Sequence, residues 1–204
     1  MEYTVLTSEY FNTKPWSGGS TTELFIFPKK ATYKQQNFQF RISTATVEIE
    51  KSDFTILEGI SRKLIVLKGE ITLNHKEHYA SQLKKLDMDA FDGGWKTTSI
   101  GKCTDFNLMT SASTKGELWA IEMKKNHFVY PTIPEHCSWF FMYVFSGKTI
   151  LNLNDTSTSL KNGDLLVVHT STQIPFKIKA SEDSELVFTT ISFLKKNLLS
   201  KKNA

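Results

Sequence analysis

Leu67-Lys68-Gly69-Glu70-Ile71-Thr72-Leu73-Asn74 returns later in the chain as Phe145-Ser146-Gly147-Lys148-Thr149-Ile150-Leu151-Asn152. The glycine, leucine and asparagine pairs all lie 78 residues apart. A second match follows in the same order: Leu83-Lys84-Lys85-Leu86-Asp87 corresponds to Leu160-Lys161-Asn162-Gly163-Asp164 at an offset of 77. Each copy reads as an apolar strand, a glycine turn, a strand, and a short turn that opens another strand. Two matches in one order, separated by a single-residue indel, point to an internal duplication.

Outward from the repeat, runs rich in Val, Ile, Phe, Thr and Tyr recur at 24–27, 38–47, 64–73, 140–153, 165–169 and 186–193. Turn clusters separate them, among them Ser17-Gly18-Gly19-Ser20, Asp92-Gly93-Gly94 and Asn162-Gly163-Asp164. The best helical candidate is the short tail at 193–200. The expectation is an all-β chain of many short strands. The duplicated strand–glycine–strand pattern resembles the cupin jelly roll. Two copies imply a bicupin: two jelly-roll (double-stranded β-helix) barrels packed together, spanning 1–115 and 116–204.

The 204 residues suffice to bury a large core without disulfides or metal staples. The charge of +4 is spread over lysine pairs such as Lys29-Lys30 and Lys124-Lys125. No run of five like charges suggests a nucleic-acid arm, and no apolar stretch reaches membrane-spanning length. Cys103 and Cys137 form no CxxC motif and read as buried thiols. Met1-Glu2-Tyr3-Thr4 lacks the pattern of a signal peptide, so the expected compartment is the cytoplasm.

Metal-binding cupins resemble one another in a glutamate seven residues before the turn glycine, where it joins histidines around a divalent ion. Here that position holds Arg62 in the first copy and Phe140 in the second. His136 stands eleven residues before Gly147, but its companion position is Pro134, and the last expected ligand falls in Gln173-Ile174-Pro175-Phe176. Neither copy carries a ligand set, so no metal and no cofactor is expected. His75 and His78, flanking Glu77, read as a polar loop.

Of 25 Lys and Arg residues, only Arg41 and Arg62 are arginine. Arginine grips a carboxylate through two parallel hydrogen bonds, where lysine is a hydrated point charge. Strand alternation puts Arg62, Leu64 and Val66 on one face, and Arg41, Ser43, Ala45 and Val47 on another. Two arrangements stay open: the arginines line a pocket for a small anion, or they pair internally with Glu23 or Asp53. One arrangement does not exclude the other.

Pro15-Trp16-Ser17-Gly18-Gly19-Ser20-Thr21-Thr22-Glu23-Leu24 resembles the N-terminal signature of HutD-type proteins, a group that includes the Ves proteins. Phe40-Arg41-Ile42-Ser43-Thr44-Ala45-Thr46-Val47 is similar to that family's W-R-x-S-x-A-x-V strand. The segments 53–62, Leu67-Lys68-Gly69 and Asp105-Phe106-Asn107-Leu108-Met109 continue the resemblance in order. One departure is the Ser-Gly-Gly-Ser loop, two residues shorter than the family's usual Asn-Gly-rich one. The resemblance implies a metal-free bicupin linked to histidine utilisation that binds an intermediate of the formyl- or formimino-glutamate kind. Matching positions would place Trp16, Thr22, Glu23, Arg41, Ser43, Arg62, Asn107 and Met109 around the ligand.

Three functions follow as expectations. The first is a non-enzymatic regulatory or sensor protein that binds a small carboxylate metabolite. The alternative is a metal-independent isomerase or hydrolase acting on a carboxylated substrate, with Glu23 as acid or base. The third is an interaction protein, because Trp139, Phe141, Tyr143 and Phe145 on one face and Phe140, Met142 and Val144 on the other suit a doubly covered sheet. That sheet lies either inside the bicupin or at a homodimer interface.

Overall fold

Alternating β-branched and aromatic residues build nearly the whole molecule from strands. The structure is a computed structural model and describes residues 2–153, 156–169 and 175–194. The chain opens with β1 (Glu2–Leu6), a short 3-10 turn (Ser8–Tyr10), β2 (Asn12–Trp16) and β3 (Gly19–Phe27). The first repeat follows as β4 (Phe40–Val47), β5 (Lys51–Asp53), β6 (Ile60–Gly69), β7 (Ile71–His75), β8 (Tyr79–Leu83), β9 (Met88–Asp92), β10 (Thr97–Ile100) and β11 (Cys103–Ser111). The second is β12 (Thr114–Met123), β13 (Phe128–Val129), β14 (Trp139–Ser146), β15 (Lys148–Leu153), β16 (Thr156–Lys161), β17 (Leu165–His169), β18 (Lys177–Ala180) and β19 (Ser184–Phe193).

The two repeats share one topology. In the first, β4-β11-β6-β9 faces β5-β10-β7-β8; in the second, β12-β19-β14-β17 faces β13-β18-β15-β16. Each is an antiparallel jelly-roll barrel, and the two matched segments occupy equivalent turns. Gly69 (φ 82°) and Gly147 (φ 81°) sit in the same left-handed conformation between paired strands. Asp87 Oδ2 accepts from Lys84 N–H, and Asp164 Oδ2 from Lys161 N–H, each at 2.9 Å. Leu86 N–H reaches Val66 O, and Gly163 N–H reaches Val144 O. The duplication is therefore a duplication of hydrogen bonds as well as of letters.

Two expectations need revision. The runs at 64–73 and 140–153 each break into two strands at the glycine turns. The division after residue 115 falls inside β12, and β1 crosses over to pair with β17, so the first strand of the chain completes the second barrel's sheet. This covers an edge whose N–H and C=O groups would otherwise be unpaired. The expected helix at 193–200 starts on the last residue of β19, Leu194 carries no regular structure, and 195–200 lie outside the described residues. No helix among the described residues is long and apolar enough to cross a membrane.

The barrels join face to face. Leu24, Phe40, Ile42, Ile65, Leu67, Phe106 and Leu108 of the first sheet pack on Leu118, Phe141, Leu165, Val167, Val187 and Ile191 of the second. Phe25 meets Phe141 at 5.0 Å between ring centroids, and Phe27 meets Trp139 at 5.6 Å. Phe140, Met142 and Val144 point the other way, into the second barrel. Both faces of β14 are thus covered within one chain, and this strand leaves no apolar face for a second copy.

The glycine turns supply a test. A Cβ at Gly147 would lie 2.2 Å from Asp183 O, whereas one at Gly59 (φ 72°) would meet nothing within 4 Å. The left-handed conformation alone costs a side chain about 1–2 kcal/mol. Gly147→Ala is expected to lower the melting temperature clearly more than Gly59→Ala, whose loss should stay near about 2–8 °C. Thermal unfolding of the two variants side by side measures the difference.

Candidate functional site

The interior of the first barrel is not filled. A cavity of about 530 Å³ opens at one end, walled by β3, β4, β6 and β11 and roofed by residues around Tyr33 and Phe54. Strand alternation decides which side chains reach it. On β4, Arg41, Ser43, Ala45 and Val47 face it together, and on β11 Asp105, Asn107 and Met109 do so. Their backbones are neighbours: Arg41 pairs with Met109, Ser43 with Asn107 and Ala45 with Asp105.

Both arginines are buried, each 6% exposed. Arg41 donates from Nε to Glu23 Oε2 at 2.8 Å and from Nη1 to Ser43 Oγ at 3.0 Å, and the Tyr33 ring covers its guanidinium at 4.6 Å. It is oriented on three sides. Arg62 is held differently. Its guanidinium lies over Phe54 at 4.6 Å and Phe91 at 5.3 Å, and its Nε has no hydrogen-bond partner among the described residues. Burial, with Arg41 as a minor neighbour, lowers its pKa to about 10, against the pull of Tyr33 and Asp105. Charged guanidinium groups out of water require compensation, and aromatic faces give only part of it.

Most of the expected site residues converge here. Glu23, Arg41, Ser43, Arg62, Asn107 and Met109 line the cavity, and Trp16 stands at its mouth with its ring against Gly18. Met109 also packs with Phe38, Leu57 and Ile60. Thr22 does not belong: alternation along β3 turns Thr21 and Glu23 inward, while the Thr22 hydroxyl meets that of Thr13 at 2.7 Å. Glu23 pairs with Arg41, as one reading of the sequence allowed. Asp53 pairs with neither arginine; it accepts from Thr98 Oγ1 at 2.7 Å.

Asp105 and Tyr33 were missed. Asp105 was visible in the motif it shares with Asn107 and Met109, and the same alternation puts it on their face. Tyr33 comes from a loop with no periodicity to read. Asp105 is 4% exposed; among the described residues its Oδ1 has no hydrogen-bond partner, and its Oδ2 receives a long 3.9 Å contact from the Cys103 thiol. Burial pushes its pKa up to about 7, opposed by Arg62 and the thiol. The Asn107 Oδ1 is likewise without a partner. The side chains that carry these unsatisfied polar atoms thus line one cavity.

His75 corrects the expected polar loop. It is a strand residue at 2% exposure, with Nδ1 at 2.8 Å from Thr97 Oγ1 and Nε2 at 3.0 Å from Asp89 Oδ2, among Tyr79, Phe91 and Trp95. His78 stacks on Trp95. Among the described residues no three His, Cys, Asp or Glu side chains converge as a metal site.

Among the described residues the second barrel has no counterpart of this site, and register shows why. Arg62 corresponds to Phe140. Asp105 pairs with Val66 as Leu186 pairs with Val144, and Asn107 pairs with Leu64 as Phe188 pairs with Met142. Across the sheet, Ser43 and Ala45 correspond to Trp119 and Ile121. Apolar side chains fill the second cup at the positions where polar ones line the first.

Asp105 makes stability depend on pH. The folded carboxyl keeps its proton to about 7, while an unfolded one loses it near 3.8, so between these values the folded state binds more protons and stability falls as pH rises. Asp105→Asn should therefore gain stability relative to the parent on going from pH 4 to pH 8. Paired denaturation curves at both ends of that interval give the answer; a constant difference would contradict the assigned burial of the charge.

Comparison with known proteins agrees with this fold. No curated protein matches the chain. A conserved protein of unknown function from Pseudomonas aeruginosa superposes with a TM-score of 0.80 at 19% identity, over 94% of this chain and 100% of that one. HutD from Pseudomonas fluorescens gives 0.73 at 17% identity, over 95% and 100%. The bacterial pirin YhhW from Escherichia coli, solved in complex with nickel(II), gives 0.70 at 10% identity, over 95% and 100%. These likenesses show the bicupin fold. The sequence model of the HutD family matches residues 8–188, nearly the whole chain, and the protein belongs to the HutD family.

Proposed function

We propose that this protein is a binding protein for a small carboxylate metabolite, serving as a sensor or regulator in histidine utilisation. The observation that carries the reading is Arg62, a buried cation that lines the cavity beside a second arginine and whose Nε has no partner among the described residues. Arg41, fixed by Glu23, Ser43 and Tyr33, supplies a second positive group. The unpartnered Oδ1 of Asn107 suits a donor on the guest, and the Tyr33, Phe54 and Trp16 rings suit its carbon chain. Family membership supports the pathway, and an intermediate of the formyl-glutamate kind has the required carboxylates and amide. In this reading Glu23 orients Arg41 and takes no part in chemistry.

Each charge-assisted hydrogen bond contributes about 1.5–3 kcal/mol, so two arginines with apolar contacts support roughly micromolar affinity. Calorimetry with N-formyl-L-glutamate should show binding that weakens by about 10- to 150-fold in Arg62→Ala and in Arg41→Ala. Affinity untouched in both variants removes the proposal. Glu23→Gln should weaken binding through loss of the Arg41 anchor, while the ligand is recovered chemically intact from the parent protein. Turnover by the parent that disappears in Glu23→Gln with binding preserved would instead make Glu23 an acid or base.

A further inference from the structure

The charges buried around the cavity do not leave room for an anion without a further adjustment. Arg41 and Glu23 form a closed ion pair. What remains is Arg62 and Asp105, which sense each other electrostatically but make no ion pair among the described residues. Each carries an unpartnered atom, Nε on one and Oδ1 on the other. If Asp105 is ionised, the buried set sums to zero. A carboxylate reaching Arg62 then adds a like charge beside a carboxylate in a water-poor space, where two such groups cannot both stay ionised cheaply.

The groups that face Asp105 offer no other outlet. Its own strand brings the Cys103 thiol, whose pKa burial pushes up to about 12. β6 brings Arg62, β4 brings Arg41, and β3 brings Glu23, already engaged with Arg41. The loop above brings Tyr33. From the opposing sheet, β5 brings Asp53, tied to Thr98. Lys14 and Lys34 stand exposed at the rim.

We infer that Asp105 sets the charge state of the site: a carboxylate binds at Arg62 together with one proton taken from solvent by Asp105. The neutral carboxyl then turns from a competing anion into an O–H donor aimed at the guest. The inference rests on the proposed reading of the cavity as a carboxylate site. The proton comes from water or buffer, and no bond within the guest changes. A carboxyl that titrates at about 7 lies where a new neighbouring charge converts it within the neutral range.

The test is calorimetry of N-formyl-L-glutamate binding to the full chain in paired buffers that are not small anions and differ in ionisation enthalpy, EPPS and Tris at the alkaline pH, MES and piperazine at the acidic one. At pH 8.5 the heat should depend on the buffer, corresponding to uptake of about one proton per guest, and at pH 5.5 the uptake should fall to about zero. Affinity should be flat below about pH 7 and fall about tenfold per pH unit above it. Asp105→Asn, whose amide mimics the neutral carboxyl and its donor, should remove the uptake, flatten the profile and bind about tenfold more tightly than the parent at pH 8. Binding with no buffer-dependent heat at pH 8.5 overturns the inference and leaves the carboxylate reading standing. Undiminished uptake in Asp105→Asn also overturns it, since the proton then goes elsewhere. No binding at any pH sinks both.

Discussion

The apolar seam between the two sheets is the interaction on which the rest depends. Phe25, Phe27 and Phe40 from one barrel interlock with Trp139 and Phe141 from the other, and aliphatic side chains continue the contact on both sides. Each fully buried side chain of this size contributes about 1.5–3 kcal/mol. A sheet that is secured on its outer face no longer needs to be secured on its inner one. β4, β6 and β11 can therefore turn Arg41, Arg62, Asp105 and Asn107 inward, toward a cavity, and remain in place.

The two barrels divide the work. The second has Phe140, Phe188, Leu186 and Trp119 in its cup and adds to stability through packing. The first carries buried charge, an expense of several kcal/mol for an ion without a partner. The duplication supplies one framework twice, and side-chain choice at equivalent positions makes one copy a core and the other a site. The N-terminal strand ties the halves together, because β1 closes the second barrel's sheet before β2 and β3 extend the first.

Within the site the two arginines are not equivalent. Arg41 is satisfied by protein atoms and works as a fixed wall. Arg62 lies against aromatic faces, and its Nε has no partner among the described residues. Asp105 lies near enough to moderate its charge and too far to neutralise it as an ion pair. This arrangement differs from a metal cupin in the sign of the charge at the position before the turn glycine. A cation fixed by the chain stands where a carboxylate would hold a cation from solution.

The sequence by itself determined the all-β class, the duplication, the equivalence of the Gly69 and Gly147 turns, and the shared face of Arg41, Ser43, Ala45 and Val47. All of these follow from local rules: period-2 alternation, the left-handed turns that favour glycine, and spacing along one chain. Only the tertiary structure decided that β1 belongs to the second barrel, that His75 is buried, and that Tyr33 joins the arginines. Those outcomes depend on which strands become neighbours and on which side of a bulge a residue falls. The register shift between Glu23 and Phe25, for example, is a property of the paired sheet and of no single strand. Long-range pairing is set by the sum of many contacts, so no window of the sequence reveals it.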